Sequence, residues 1–123
     1  MAISEQSVDE RQAGVVEPLV RGRALLRAAE EALADEDLVT VHSQWVSFRM
    51  LLHRLQNAHK QDRSRYFCLG LVHDTLVFTD LMRVTPAMLA ELSRAFTHAL
   101  ADQANPAEVR SILGKAGLDL SPQ

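Results

Sequence analysis

With 123 residues, 47% of them apolar, the chain is long enough for one domain built around a single core. Its 16 acidic and 13 basic side chains leave a formal net charge of -3, which excludes the uniformly basic body of a protein that coats nucleic acid and confines any DNA contact to a local or shared surface. Cys68 is the only cysteine, so an intramolecular disulfide and a zinc site built on several thiolates of this chain are both excluded.

That cysteine usage suits a reducing cytoplasm. The opening stretch from Met1 to Glu10 lacks the basic region and apolar core of a signal peptide, and no apolar run reaches the roughly 20 residues needed to span a bilayer. A soluble, unexported, cytoplasmic protein is expected, with residues 1–14 as a flexible tail, 15–118 as a single all-helical domain and 119–123 as a second loose tail.

In chain order, Val15, Val16, Leu19, Leu25, Leu26, Ala29 and Leu33 recur at helical spacing, and Pro18 reads as the start or a kink, so the first helix is predicted over Pro18 to Ala34. Asp35 or Asp37 then caps a second helix running to about Ala58. Along it Leu38, Val41, Trp45, Phe48, Leu52 and Leu55 alternate three and four apart, the pattern of a packing seam. After a polar turn, a short helix through Tyr66 and Phe67 is expected to end at Gly70. The next helix, His73 to Arg83, is expected to bury Leu76, Val77 and Leu81, with Phe78 beside them. Thr85-Pro86 and Asn105-Pro106 each combine a capping side chain with proline at the first helical position, and so open two further helices. The first carries Met88, Leu89, Leu92, Phe96 and Leu100 on one face, and the second ends near Gly117. No segment alternates with period two, so the fold class is all-α, a bundle of four to five helices, compact or entwined.

Catalytic and metal chemistry find little support in the spacing. No pair of the five histidines stands four apart with a glutamate between, and His73-Asp74 are neighbours that point different ways on a helix. Cys68 lies between Phe67 and Leu69, where a thiol behaves as a small buried hydrophobe. With no phosphate loop and no serine elbow, no catalytic residue, metal site, cofactor or small-molecule substrate is expected.

Two patterns point instead to interaction. The Trp45, Phe48, Leu52 and Leu55 stripe reads either as intramolecular core or as an oligomer seam. Val46, Met50 and Leu51 widen the apolar surface of this helix, which nominates Val41, Trp45, Phe48, Leu52, Leu55 and Phe67 as a dimer or partner interface. A basic block of Arg49, Arg54, Lys60, Arg63 and Arg65, with His53 and His59 nearby, reads either as solvated helix ends and a loop or as a phosphate contact. On the second reading Arg54, Lys60, Arg63 and Arg65 are the candidate contacts to DNA phosphates. The two proline-started helices have a plain helical pair as one reading and a helix-turn-helix as the other.

From Leu38 to Leu100 the order of motifs resembles the FlhD family of bacterial transcription-activator subunits. The residues that carry it are Leu51-Leu52-His53-Arg54-Leu55, the turn Lys60-Gln61-Asp62-Arg63, the aromatic-x-Leu-Gly element Phe67 to Gly70, and Met82-Arg83-Val84-Thr85-Pro86 leading into Met88-Leu89-Ala90-Glu91-Leu92. Cys68 stands where the family commonly has arginine, and the extension before Leu38 has no counterpart. The resemblance implies an entwined homodimer that joins an FlhC-like partner and activates promoters, with zinc and most of the DNA grip in that partner. The alternative function is a helical adaptor or regulatory protein that binds another protein and not DNA.

Overall fold

The computed structural model describes the backbone of residues 2–118, with side chains from Gly14 onward. Five α-helices follow one another: α1 (Ala2–Ala34), α2 (Leu38–Ala58), α3 (Arg63–Phe78), α4 (Pro86–Ala99) and α5 (Pro106–Lys115), with a 3₁₀ turn at Leu81–Arg83. No strand occurs among the described residues, so the fold is the all-α one expected. Helices α1 to α4 close a ring, each packing on its neighbours and α4 returning to α1, while α5 lies against both α3 and α4. The tail expected at 119–123 lies outside the described residues.

The helix ends follow from their capping chemistry. Asp37 accepts from the Thr40 amide (3.1 Å) and from the Thr40 hydroxyl (2.6 Å), which starts α2 and holds the Asp37 carboxyl below its ordinary range. Just before it α1 ends in a Schellman turn, with Asp37 N–H donating to Ala32 O and Glu36 N–H to Leu33 O. That turn places Glu36 at φ 57°, a left-handed conformation usually given to glycine. Gly117, at φ 78°, occupies the equivalent place after α5, where Leu118 N–H reaches Leu113 O and both leucines are buried. Thr85 and Asn105 cap α4 and α5 as expected, each with proline in the first turn.

The core is a set of seams spaced three and four residues apart. On α2 these are Val41, Trp45, Phe48, Leu52 and Leu55; on α4, Leu89, Leu92, Phe96 and Ala99; on α3, Leu69, Val72 and Leu76. On α1 the stripe runs Val15, Leu19, Gly22, Leu26, Ala29, Leu33, with a glycine where a side chain would be expected. Gly22 is buried, and a Cβ built there would lie 2.3 Å from Cε2 of Phe96 and 3.1 Å from Cε1 of Phe48. The two rings meet edge to face, 5.1 Å between centroids at 79°, and the Phe96 ring fills the gap that the glycine leaves.

Three sequence expectations are corrected by this packing. Pro18 does not start α1; it lies inside the helix, where its missing N–H releases the carbonyl of exposed Gly14 to solvent. Gly70 does not end a helix. It sits within α3 because Cys68, Leu69, Val72 and Leu76 around it are all buried, and their burial outweighs the roughly 1 kcal/mol that glycine costs in a helix. Its missing Cβ also leaves room for Gln56, whose amide donates to Tyr66 O (3.3 Å). Finally, α3 stops at Phe78. Thr79 turns extended with its hydroxyl on Thr75 O, and Asp80 caps the 3₁₀ turn through the Met82 amide (3.0 Å), which leaves Val77 and Phe78 exposed.

Gly22→Ala should destabilise the protein by about 1–3 kcal/mol in urea denaturation, because overpacking against Phe96 outweighs the gain of about 1 kcal/mol in helix propensity. Gly14→Ala, with open space around it, should show only that gain. Equal midpoints for the two variants would rule out the wedge described here.

Candidate interaction surface

Five of the six residues nominated as a partner interface are consumed by the fold. Val41, Trp45, Phe48, Leu52 and Leu55 are buried, none more than 6% exposed, because α2 lies between α1 and α3 and its apolar face finds cover in its own chain. Phe67 alone stays open, at 49%.

The basic block divides as well. Arg54, Lys60 and Arg63 are exposed, whereas Arg65 turns inward. Its Nε donates to Leu100 O (3.1 Å), a carbonyl at the C-terminus of α4, while its other nitrogens lie 3.5 Å from Asp62 and 3.9 Å from Asp102. A guanidinium there satisfies an orphan carbonyl and faces the negative end of the helix dipole. Asp62 meanwhile caps α3 through the Arg65 amide (3.2 Å), so this pair fastens the start of α3 to the end of α4.

With those residues spent, two surface features remain on α2. The first is a groove of about 720 Å³ between the middle of α1 and the C-terminal half of α2. Val16, Val20 and Ala24 face Leu51, Leu55 and Ala58 across it, and Glu17, Arg21 and Arg54 also line it. Val16, one of the apolar residues at helical spacing, lies in the open groove one position off the buried stripe. The second is a cleft of about 210 Å³ between α2 and α3, lined by Arg49, Met50, His53, Arg54 and His73. Packing of α3 on α2 brings the His53 and His73 rings to 6.1 Å, with Asn57 3.4 Å from His53 Nε2 and Asp74 3.7 Å from His73 Nδ1. Arg54 borders both features. The sequence placed His53 in a basic block and left His73 apart from it; only the α2 to α3 packing joins them.

No family model, curated protein or solved structure matches the chain. What the protein does must therefore follow from its own surface. Among the described residues no group of three or more histidine, cysteine, aspartate or glutamate side chains is placed to hold a metal ion, and no helix is long and apolar enough to cross a membrane. Cys68 is fully buried at the centre of α3, and burial, with Asp62 nearby, pushes its thiol up, against thiolate formation.

Arg65→Met should lower stability by about 1–2 kcal/mol through loss of a charge-assisted bond in a partly exposed site, while Arg63→Met should change it little. Similar urea midpoints for both would contradict the fastening role.

His59 titrates below the ordinary imidazole range because burial disfavours its charged form and Arg65 repels it, with Asp62 opposing. The unfolded chain then binds a proton that the folded chain resists, so stability should fall as pH drops through the ordinary imidazole range toward the lower folded value. In His59→Gln that part of the slope should disappear when the urea midpoint is followed against pH.

Proposed function

We propose that this protein is a non-enzymatic helical adaptor or regulatory subunit that acts by binding another protein. The observation that carries this reading is the amount of large apolar side chain left open after the core is complete. Val16 and Val20 line the groove, and on the outer side of α3 Phe67 and Phe78 stand three helical turns apart on one face, with Met82 just beyond. Phe78 and Met82 are 74% and 75% exposed. Exposed apolar surface of this kind marks contact with another macromolecule.

A photo-crosslinking amino acid placed at Val20 or at Phe78, in the cells from which the protein comes, should give a discrete protein adduct from at least one position. Absence of an adduct at both would overturn the adaptor reading.

A second reading, that of an FlhD-like activator subunit joining an FlhC-like partner on promoter DNA, is favoured by a different observation. Arg54, Lys60 and Arg63 are exposed around the α2 to α3 turn, and among the described residues none of them forms an ion pair. On that reading the chain with its co-expressed partner binds promoter DNA in a salt-dependent way, and Lys60→Glu with Arg63→Glu weakens binding while reducing the salt slope by about two. Binding indifferent to both charges would count against DNA contact at this turn.

A further inference from the structure

We infer that the groove between α1 and α2 receives an amphipathic helix of a protein partner, one that carries carboxylates beside its apolar stripe. This deepens the adaptor reading and rests on it. Val16, Val20 and Ala24 present one side chain per turn along α1, and Leu51, Leu55 and Ala58 do the same along α2, so the trough is about 12 Å long and apolar on both sides. Val16 and Val20 are 54% and 64% exposed, whereas Leu51 and Leu55 close the floor at 6% each. A third helix laid along such a trough fills it with residues at i, i+4 and i+7, the geometry of helix-in-groove recognition.

Charge selects the occupant. Arg21 borders the groove from α1 and Arg54 from α2, and Glu17 is the carboxylate that lines it among the residues with described side chains. Arg54 also opens onto the cleft holding Arg49, His53 and His73, where Asp74 is the carboxylate found near an imidazole. Positive charge therefore exceeds negative on the α2 side, whereas Glu17 offsets Arg21 on the α1 side, which suits glutamate or aspartate on the flank of the incoming stripe that faces α2. A second copy of this chain fits less well. Its own Val16, Val20 and Ala24 stripe carries Arg21 as well as Glu17, and so brings no net negative charge to Arg54.

The test uses the full chain and two synthetic helical peptides with the same leucine stripe, one flanked by glutamate and the other by lysine, followed by fluorescence anisotropy at low salt. The glutamate peptide should bind about tenfold more tightly than the lysine peptide, a difference of about 1.4 kcal/mol. Val20→Glu should lose binding with an unchanged far-UV circular dichroism spectrum, since the residue is exposed. Combining Arg21→Glu with Arg54→Glu should reverse the preference, so that the lysine peptide binds the better. Equal affinity for the two peptides, no binding of either, or a preference that survives the charge reversal would each overturn the inference. So would a chain that sediments as a dimer and becomes monomeric on Val20→Glu. In any of these cases a protein adduct formed from Phe78 would leave the adaptor reading standing, while absence of adducts at both Val20 and Phe78 would remove both.

Discussion

The fold depends on one contact, the Phe96 ring of α4 resting on the bare backbone of α1 at Gly22, with Phe48 of α2 against the ring edge. Three helices meet there, and both phenylalanines are completely buried. Each such side chain contributes on the order of 1.5–3 kcal/mol by leaving water, and the edge-to-face pair adds about 0.5–1.5 kcal/mol. A side chain on α1 at this level would hold α4 away, and the seams above and below it would lose their fit.

Once α1 is drawn onto α4 at Gly22, its opposite edge turns toward the C-terminal half of α2. Leu51 and Leu55 are covered there from within the chain, but Val16 and Val20 on the other wall stay open. The groove is thus a consequence of how the core closes: among the described residues, no helix lies over the residues just off the buried stripe of α1. The same closure accounts for the fate of the α2 stripe. A helix flanked by neighbours on two sides spends Trp45 and Phe48 on its own fold, and the capacity to meet a partner passes to residues at the edges of the seams.

Electrostatics is divided in a similar way. Arg65 lies four residues after Gln61 in a polar, basic stretch that looks uniform in sequence, yet it serves the chain by holding the end of α4. Arg54, Lys60 and Arg63 remain at the surface, and His73 joins Arg49, His53 and Arg54 from a separate helix. A single basic block therefore becomes one structural tie and one positive rim.

Much of the architecture was legible in the residues themselves. The spacing of Val41, Trp45, Phe48, Leu52 and Leu55 and the devices Thr85-Pro86 and Asn105-Pro106 determine helices and their starts locally, because capping and helical periodicity act over one or two turns. Gly70 and Pro18 misled for the converse reason. Glycine's preference against a helix amounts to about 1 kcal/mol, which the buried neighbours of Gly70 outweigh, and Pro18, read as a start or a kink, lies inside α1. The groove, the His53 and His73 pairing, the exposure of Val16, Val20 and Phe78, and the inward turn of Arg65 were decided by tertiary structure alone. Each depends on which helices lie side by side, and an amphipathic pattern specifies that a face must be covered without specifying what covers it.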